Sequence, residues 1–233
     1  MQQTTPPAPA TRPPKPAPPP PPPPEFQEGS LAAMDAAALV GILKDPGSPE
    51  FRKAKACQRI GELGAKEAVP SLAALLGDEH LSAYARYGLE PITDPSADDA
   101  LRAALSKLKG VPLIGVINSI GKRRDAKASS ALAKMIHGPD PDVARAAAAA
   151  LGSIGGASSA KELQAALPKT TGLTKMAVAD ACLVCAERLL AQGERDQALS
   201  LYASLTASGV PKPARLGAMS GIIREETSIN RPR

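Results

Sequence analysis

Tryptophan is absent from the 233-residue chain, phenylalanine occurs twice and tyrosine three times. So thin an aromatic content suits a β-sandwich core poorly and suits helices that approach closely through Ala, Leu, Ile and Val. Cysteine is scarce too. Cys57, Cys182 and Cys185 are an odd set at apolar positions, a pattern of packed thiols and not of a disulfide framework. There is no run of eighteen apolar residues, so no membrane span is expected. The two histidines, His80 and His137, are too few for a multi-histidine metal site. The net charge of +5 is modest, and acidic residues are interspersed with basic ones throughout. That distribution argues against nucleic acid as the partner.

Proline is the residue in excess, and it is concentrated: thirteen of the twenty-five prolines lie in the first thirty residues. Without N–H donors and with fixed φ, Pro18 to Pro24 cannot join a core, so residues 1–30 read as a disordered arm with a polyproline II stretch. The folded part is expected over 31–226, with 227–233 frayed. The opening Met-Gln-Gln-Thr-Thr carries no charged-then-apolar leader. The compartment is therefore open between cytoplasmic and exported or periplasmic, the latter if a signal peptide was removed ahead of Met1.

Four related phrases organise the folded part: Ile60-Gly-Glu-Leu-Gly64, Leu89-Glu-Pro-Ile-Thr93, Ile117-Asn-Ser-Ile-Gly121 and Leu151-Gly-Ser-Ile-Gly155. Their starts are 29, 28 and 34 residues apart (89 minus 60, 117 minus 89, 151 minus 117), the range of one helical hairpin per repeat. Each phrase closes the first helix of a hairpin, and a second helix follows. In the third unit Gly121-Lys122-Arg123-Arg124-Asp125 reads as a turn three residues longer than the others. Ser48-Pro49, Asp94-Pro95 and Asp140-Pro141 read as cap and first-turn proline pairs, and Ser159 with Glu162 as a capping box. A hairpin of this kind cannot bury its apolar stripe alone, so the fold expected is all-α, a right-handed α–α superhelix of about five hairpins.

The phrases Ala68-Val69-Pro70-Ser71-Leu72 with Leu75-Leu76-Gly77-Asp78, and Asp140 to Ala147 with Leu151 to Gly155, resemble the repeats of the HEAT and HEAT-like (phycobilisome lyase type, armadillo-like) family. The likeness runs well over 51–167 and loosely over 173–225. There Ala186, Leu189, Leu190, Gly193, Ala198, Leu201 and Tyr202 resemble the tetratricopeptide spacing. The resemblance implies a repeat ladder in which Arg52, Arg86 and Arg145 pair with aspartates such as Asp78 and Asp142 to join neighbouring units. It also supplies enzymatic precedents: bilin lyases, a di-iron hydroxylase and DNA glycosylases. None of their marks is legible, because His-Glu pairs, an aromatic cluster and a basic stripe along successive second helices are all missing from the sequence.

The reading that follows is a non-enzymatic protein–protein interaction scaffold that needs no cofactor and no metal. A lyase-type enzyme or enzyme subunit is the first alternative, and a nucleic-acid-binding protein the second. The partner-binding residues expected are the exposed cationic knob Lys122, Arg123 and Arg124, directed at an acidic partner, and Tyr84 and Tyr87 on one helix, one ring in the core and the other a lid. Arg102 and Lys134 join them among the outward residues of the second helices, with Asp98, Lys127 and Ser130 nearby.

Overall fold

The computed structural model describes residues 29–229, and nearly all of the Pro-rich arm lies outside them. A short α1 (Gly29–Ala32) and α2 (Ala36–Lys44) come first, α2 capped by Asp35, whose carboxylate accepts from the Ala38 N–H at 2.8 Å. Five hairpins follow. They are α3 (Glu50–Leu63) with α4 (Val69–Ala74), α5 (Ser82–Leu89) with α6 (Pro95–Ala104), and α7 (Gly110–Arg123) with α8 (Ser129–Ile136). Then come α9 (Pro141–Ile154) with α10 (Gly156–Ala166) and α11 (Gly172–Ala191) with α12 (Arg195–Leu205). The last helix, α13 (Lys212–Ile229), continues beyond the Glu225 and Thr227 limits read from sequence. Short 3-10 turns, Lys66–Ala68 and Ala126–Ala128, lead into α4 and α8.

Two rows of helices result. In the first row α3, α5, α7, α9, α11 and α13 pack in order, each against the next. In the second row α2, α4 and α6 follow one another, and α8, α10 and α12 do the same, with a looser junction between α6 and α8. The core lies between the rows as one continuous cluster running from Leu39 through Ile60, Leu101, Ile117, Leu132 and Leu163 to Ala218. This sequential stacking is how a chain poor in aromatics buries enough apolar surface: each pair lends the next a dry face.

Close approach in the first row depends on residues without bulk. A Cβ on Gly88 would lie 2.8 Å from the Cys57 carbonyl oxygen, one on Gly121 2.9 Å from the Ala150 Cα, and one on Gly152 2.8 Å from the Ala181 carbonyl oxygen. The backbones of α3 and α5, of α7 and α9, and of α9 and α11 therefore touch.

The third unit differs from its sequence reading. Gly64 adopts φ 64° and ends α3 with its N–H on the Gly61 carbonyl at 3.1 Å and the Ala65 N–H on the Ile60 carbonyl at 3.3 Å. Arg124 adopts φ 57° and ends α7 with the same pair, 3.1 Å to Gly121 and 3.2 Å from Asp125 to Ile120. This is a Schellman ending in both units. Ile120 thus stands where Ile60 stands, and the phrase beginning at Ile117 is one helical turn out of register. The starts become Ile60, Leu89, Ile120 and Leu151, which are 29, 31 and 31 residues apart (89 minus 60, 120 minus 89, 151 minus 120). No insertion exists. A left-handed arginine where glycine is expected concealed the true helix end.

Two caps are also corrected. Pro49 itself holds the N-cap position of α3, while the Ser48 hydroxyl donates to Asp45 at 2.9 Å. Ser159 lies inside α10, where its buried hydroxyl contacts that of Ser129 at 3.3 Å and forms no capping box. Asp94 and Asp140 do cap, accepting from the Ser96 N–H at 3.0 Å and the Asp142 N–H at 2.9 Å.

Candidate partner-binding surface

Lys122, Arg123 and Arg124 do not stand together as a three-cation knob: Lys122 and Arg124 are exposed and Arg123 is not. Because α7 runs one turn further than expected, Arg123 points inward with 9% of its side chain exposed. Its guanidinium donates to the carbonyls of Leu89 (3.1 Å), Glu90 (2.7 Å) and Ile92 (2.7 Å) and to the Asp98 carboxylate at 2.6 Å. It thereby satisfies the carbonyls of Glu90 and Ile92 just past the end of α5 and shares that of Leu89 with the Ile92 N–H. Asp98, expected to face outward, is committed to that contact. Lys122 pairs with Glu90 at 2.5 Å, and that carboxylate raises the ammonium above its ordinary value; Glu90 also accepts from the Ser119 hydroxyl at 2.8 Å. Lys122 and Arg124 are both exposed, and Arg124 has no side-chain hydrogen bond or ion pair among the described residues.

Arg102 belongs to the same seam. It pairs with Asp125, which is 8% exposed and accepts from the Lys127 N–H at 3.1 Å, and with Asp99 on its own helix. Repeats two and three are therefore joined by a dense polar seam at the α5–α6 turn and the α7–α8 turn. On the second-helix side they part, and a cleft of about 680 Å³ opens between α6 and α8. Leu105 and Met135 form its floor, Ser106 and Ser130 its polar edge, and Lys127 and Lys134 its cationic rim. Two further grooves continue the face. One, between α8 and α10, has Lys134, His137, Glu162 and Lys169 along it (about 260 Å³), and the next, between α10 and α12, has Lys161, Gln164 and Asp196 (about 300 Å³).

Tyr84 and Tyr87 are both exposed, at 41% and 53%, so neither ring is core. Tyr87 shares a groove of about 290 Å³ with Glu62, Pro91 and Lys122. The residues expected to act together are thus divided. Tyr87 and Lys122 meet on one face, Arg102 and Lys134 on the other.

The aspartate–arginine ladder takes another form. Arg145 pairs with Asp142 three residues earlier on its own helix and bridges no repeats. Asp78 is spent on its own turn, accepting from the N–H groups of Leu81 (2.8 Å) and His80 (2.9 Å), which hold its carboxyl below the usual 3.8. Arg86 does cross to the next unit, but onto the Gly115 carbonyl at 3.4 Å, and Arg52 forms no ion pair with Asp78. Short aspartates next to a turn find backbone donors sooner than a guanidinium from another helix. Ion pairs that join successive units among the described residues include Lys66–Asp94, Arg123–Asp98, Arg102–Asp125, Lys122–Glu90 and, further on, Arg195–Glu225 and Arg224–Glu187.

Cys57, Cys182 and Cys185 are free and fully buried. Burial pushes their thiols up, to about 12, about 12 and about 11. His80 and His137 are exposed at helix ends.

The stretch from Asp99 on α6 to Cys182 within α11, residues 99–182, matches the family model for HEAT repeats. Residues 99–182 are HEAT repeats. The match begins after the start of the likeness read from the sequence and ends within its loose part over 173–225, and it contains the residues lining the α6–α8 cleft and the α8–α10 groove. No curated protein matches the chain. Among the described residues no helix is long and apolar enough to cross a membrane.

The cleft is not legible in the sequence, because Leu105 and Met135 pack with the core and line the cleft at once. Only the spacing of Lys127 and Lys134, seven residues and two turns apart on one face, could have pointed to its rim.

Proposed function

We propose that the protein is a non-enzymatic scaffold that binds another protein across the second helices of its HEAT repeats. The observation that carries this reading is the succession of three open grooves along one face, between α6 and α8, α8 and α10, and α10 and α12. Stacked repeats present extended surfaces of this kind, and HEAT repeats commonly mediate protein binding. The side chains that rim the grooves, Lys127, Lys134, Lys161 and Lys169, are exposed, and the nucleophilic thiols are fully buried with raised pKa. That division supports recognition over covalent chemistry. The Pro-rich arm adds a tether, or a ligand for a proline-reading domain.

The test is a binding experiment with mass readout. The full chain, with a captured partner purified and recombined with it, is followed by hydrogen exchange, and the partner's intact mass is measured before and after. The expected result is protection over α8 and α10 and a partner of unchanged mass. Protection confined to α3, α5 and α7, or a partner altered in mass, would overturn the reading.

A further inference from the structure

Resting on that reading, we propose that the cleft between α6 and α8 receives an acidic peptide segment of a partner protein, with one apolar side chain seated over Leu105 and Met135 and flanking carboxylates on Lys127 and Lys134. Three observations lead there. The floor is apolar and the rim cationic: no carboxylate lines the cleft. Of its cations Arg102 is already committed to Asp125 and Asp99, whereas Lys127 and Lys134 are exposed and form no ion pair among the described residues. Two uncommitted ammonium groups beside a dry seat match an apolar anchor between acidic neighbours.

Lys127 supplies the third observation. It lies in the 3-10 turn that opens α8, the positive end of that helix, where a cation is disfavoured. The Lys127 N–H is taken by Asp125, whose charge is already met by Arg102, so no ion pair among the described residues offsets the ammonium. A carboxylate from outside would. Lys134, in the last turn of α8, has the helix end in its favour and needs no such help to stay.

The cleft's neighbours restrict the ligand. Lys134 lies on both the α6–α8 cleft and the α8–α10 groove, so a segment crossing α8 meets it from either side. Glu162 lines the second groove and Asp196 the third, and a polyphosphate strand laid along the face would run onto both. A peptide with a short acidic stretch and a hydrophobic anchor avoids them.

The experiment selects a phage-displayed random peptide library against the full chain, then measures the enriched peptides by fluorescence anisotropy at 50 and 300 mM salt. The expected peptides are acidic with one Leu, Ile, Phe or Met anchor. Their binding should weaken at least tenfold at the higher salt, and at least tenfold on Lys127→Glu/Lys134→Glu. It should also be lost on Ala131→Trp, which fills the cleft from an exposed position and leaves the charges in place. Because Lys127→Glu puts an anion at the positive end of α8, the thermal midpoint of that single variant should hold or rise, which separates lost binding from lost folding. Enriched peptides that are not acidic, that lose nothing when the anchor becomes Ser, or that still bind the Ala131→Trp protein overturn the cleft proposal and leave the scaffold reading standing. A library yielding no enriched peptide, or an oligonucleotide that outcompetes the acidic peptides, overturns both.

Discussion

Arg123 and Arg124 are adjacent in sequence and opposite in fate, and a single backbone angle separates them. Arg124 bears the φ of 57° that ends α7, a conformation that costs a side-chain-bearing residue about 1 kcal/mol relative to glycine. Arg124→Gly is therefore expected to raise the free energy of unfolding by about 1 kcal/mol, and Gly64→Ala to lower it by a similar amount, both read from urea titrations. Arg123, turned inward by that same ending, holds three carbonyls and a carboxylate. Its replacement by Met leaves the Glu90 and Ile92 carbonyls and the Asp98 carboxylate without that donor, so a loss of about 3 kcal/mol is expected. Lys122→Ala removes an exposed ion pair and should cost less than about 1 kcal/mol in the same titration. Equal losses for the two would show that Arg123 is not the pin between repeats. The three cysteines give a residue-scale check on burial: thiols raised to about 12 and about 11 are almost wholly protonated at pH 8, so maleimide should label none in the native protein and all three after unfolding.

Helix ends and helix contacts decide more at the scale of elements than helix propensity does. The heart of α9 is rich in alanine, Ala144, Ala147, Ala148 and Ala150 being buried, and its Gly152 touches α11 through backbone. Bulk at that crossing must move one first-row helix away from the next. Gly152→Leu is expected to cost about 3 kcal/mol, although leucine favours a helix by nearly 1 kcal/mol over glycine. If circular dichroism and urea unfolding show the variant unchanged or stabilised, the first row is not packed backbone to backbone. The periodicity of the apolar residues made the hairpins legible, and the Asp-Pro pairs located the starts of α6 and α9. The end of α7 was not legible, because the Ile117 phrase imitates a helix ending that the chain postpones by one turn. Its partner at Ile60 has glycine at the left-handed position and α7 has arginine there, so pattern alone could not tell which isoleucine marks the end.

Across the molecule, acid should loosen the stack from its turns. Asp45 is held below the ordinary 3.8 by the Gly47 N–H and then the Ser48 hydroxyl, Asp78 by the Leu81 and His80 N–H groups, and Asp94 by the hydroxyl and N–H of Ser96. A carboxyl whose folded pKa lies below its unfolded value binds its proton more readily when unfolded. Its stabilising effect is complete above 3.8 and drains as the pH falls from there through the depressed folded value. The expected outcome is a thermal midpoint that falls steeply below about pH 4, with a shallower fall for the Asp45→Asn/Asp78→Asn/Asp94→Asn variant. Parallel curves for the two proteins would locate acid sensitivity elsewhere. The grooves also belong to this scale. The α6–α8 cleft exists because repeats two and three are fastened on one side by Arg123 and Arg102 and left apart on the other, and no single helix contains that information.

What the sequence by itself determined is the architecture: apolar residues at helical spacing, a repeat near thirty residues and a near absence of aromatics leave stacked hairpins as the way to bury a core. What only the tertiary structure decided is which polar side chains face a partner. Arg123, Asp98 and Arg102 read as surface from their spacing, yet unpaired helix ends and opposite charges on the neighbouring repeat draw them inward. Lys127 and Lys134, which form no ion pair among the described residues, remain on the rim. Charge identity is written in the chain, but whether a charge is spent depends on what the next repeat sets against it.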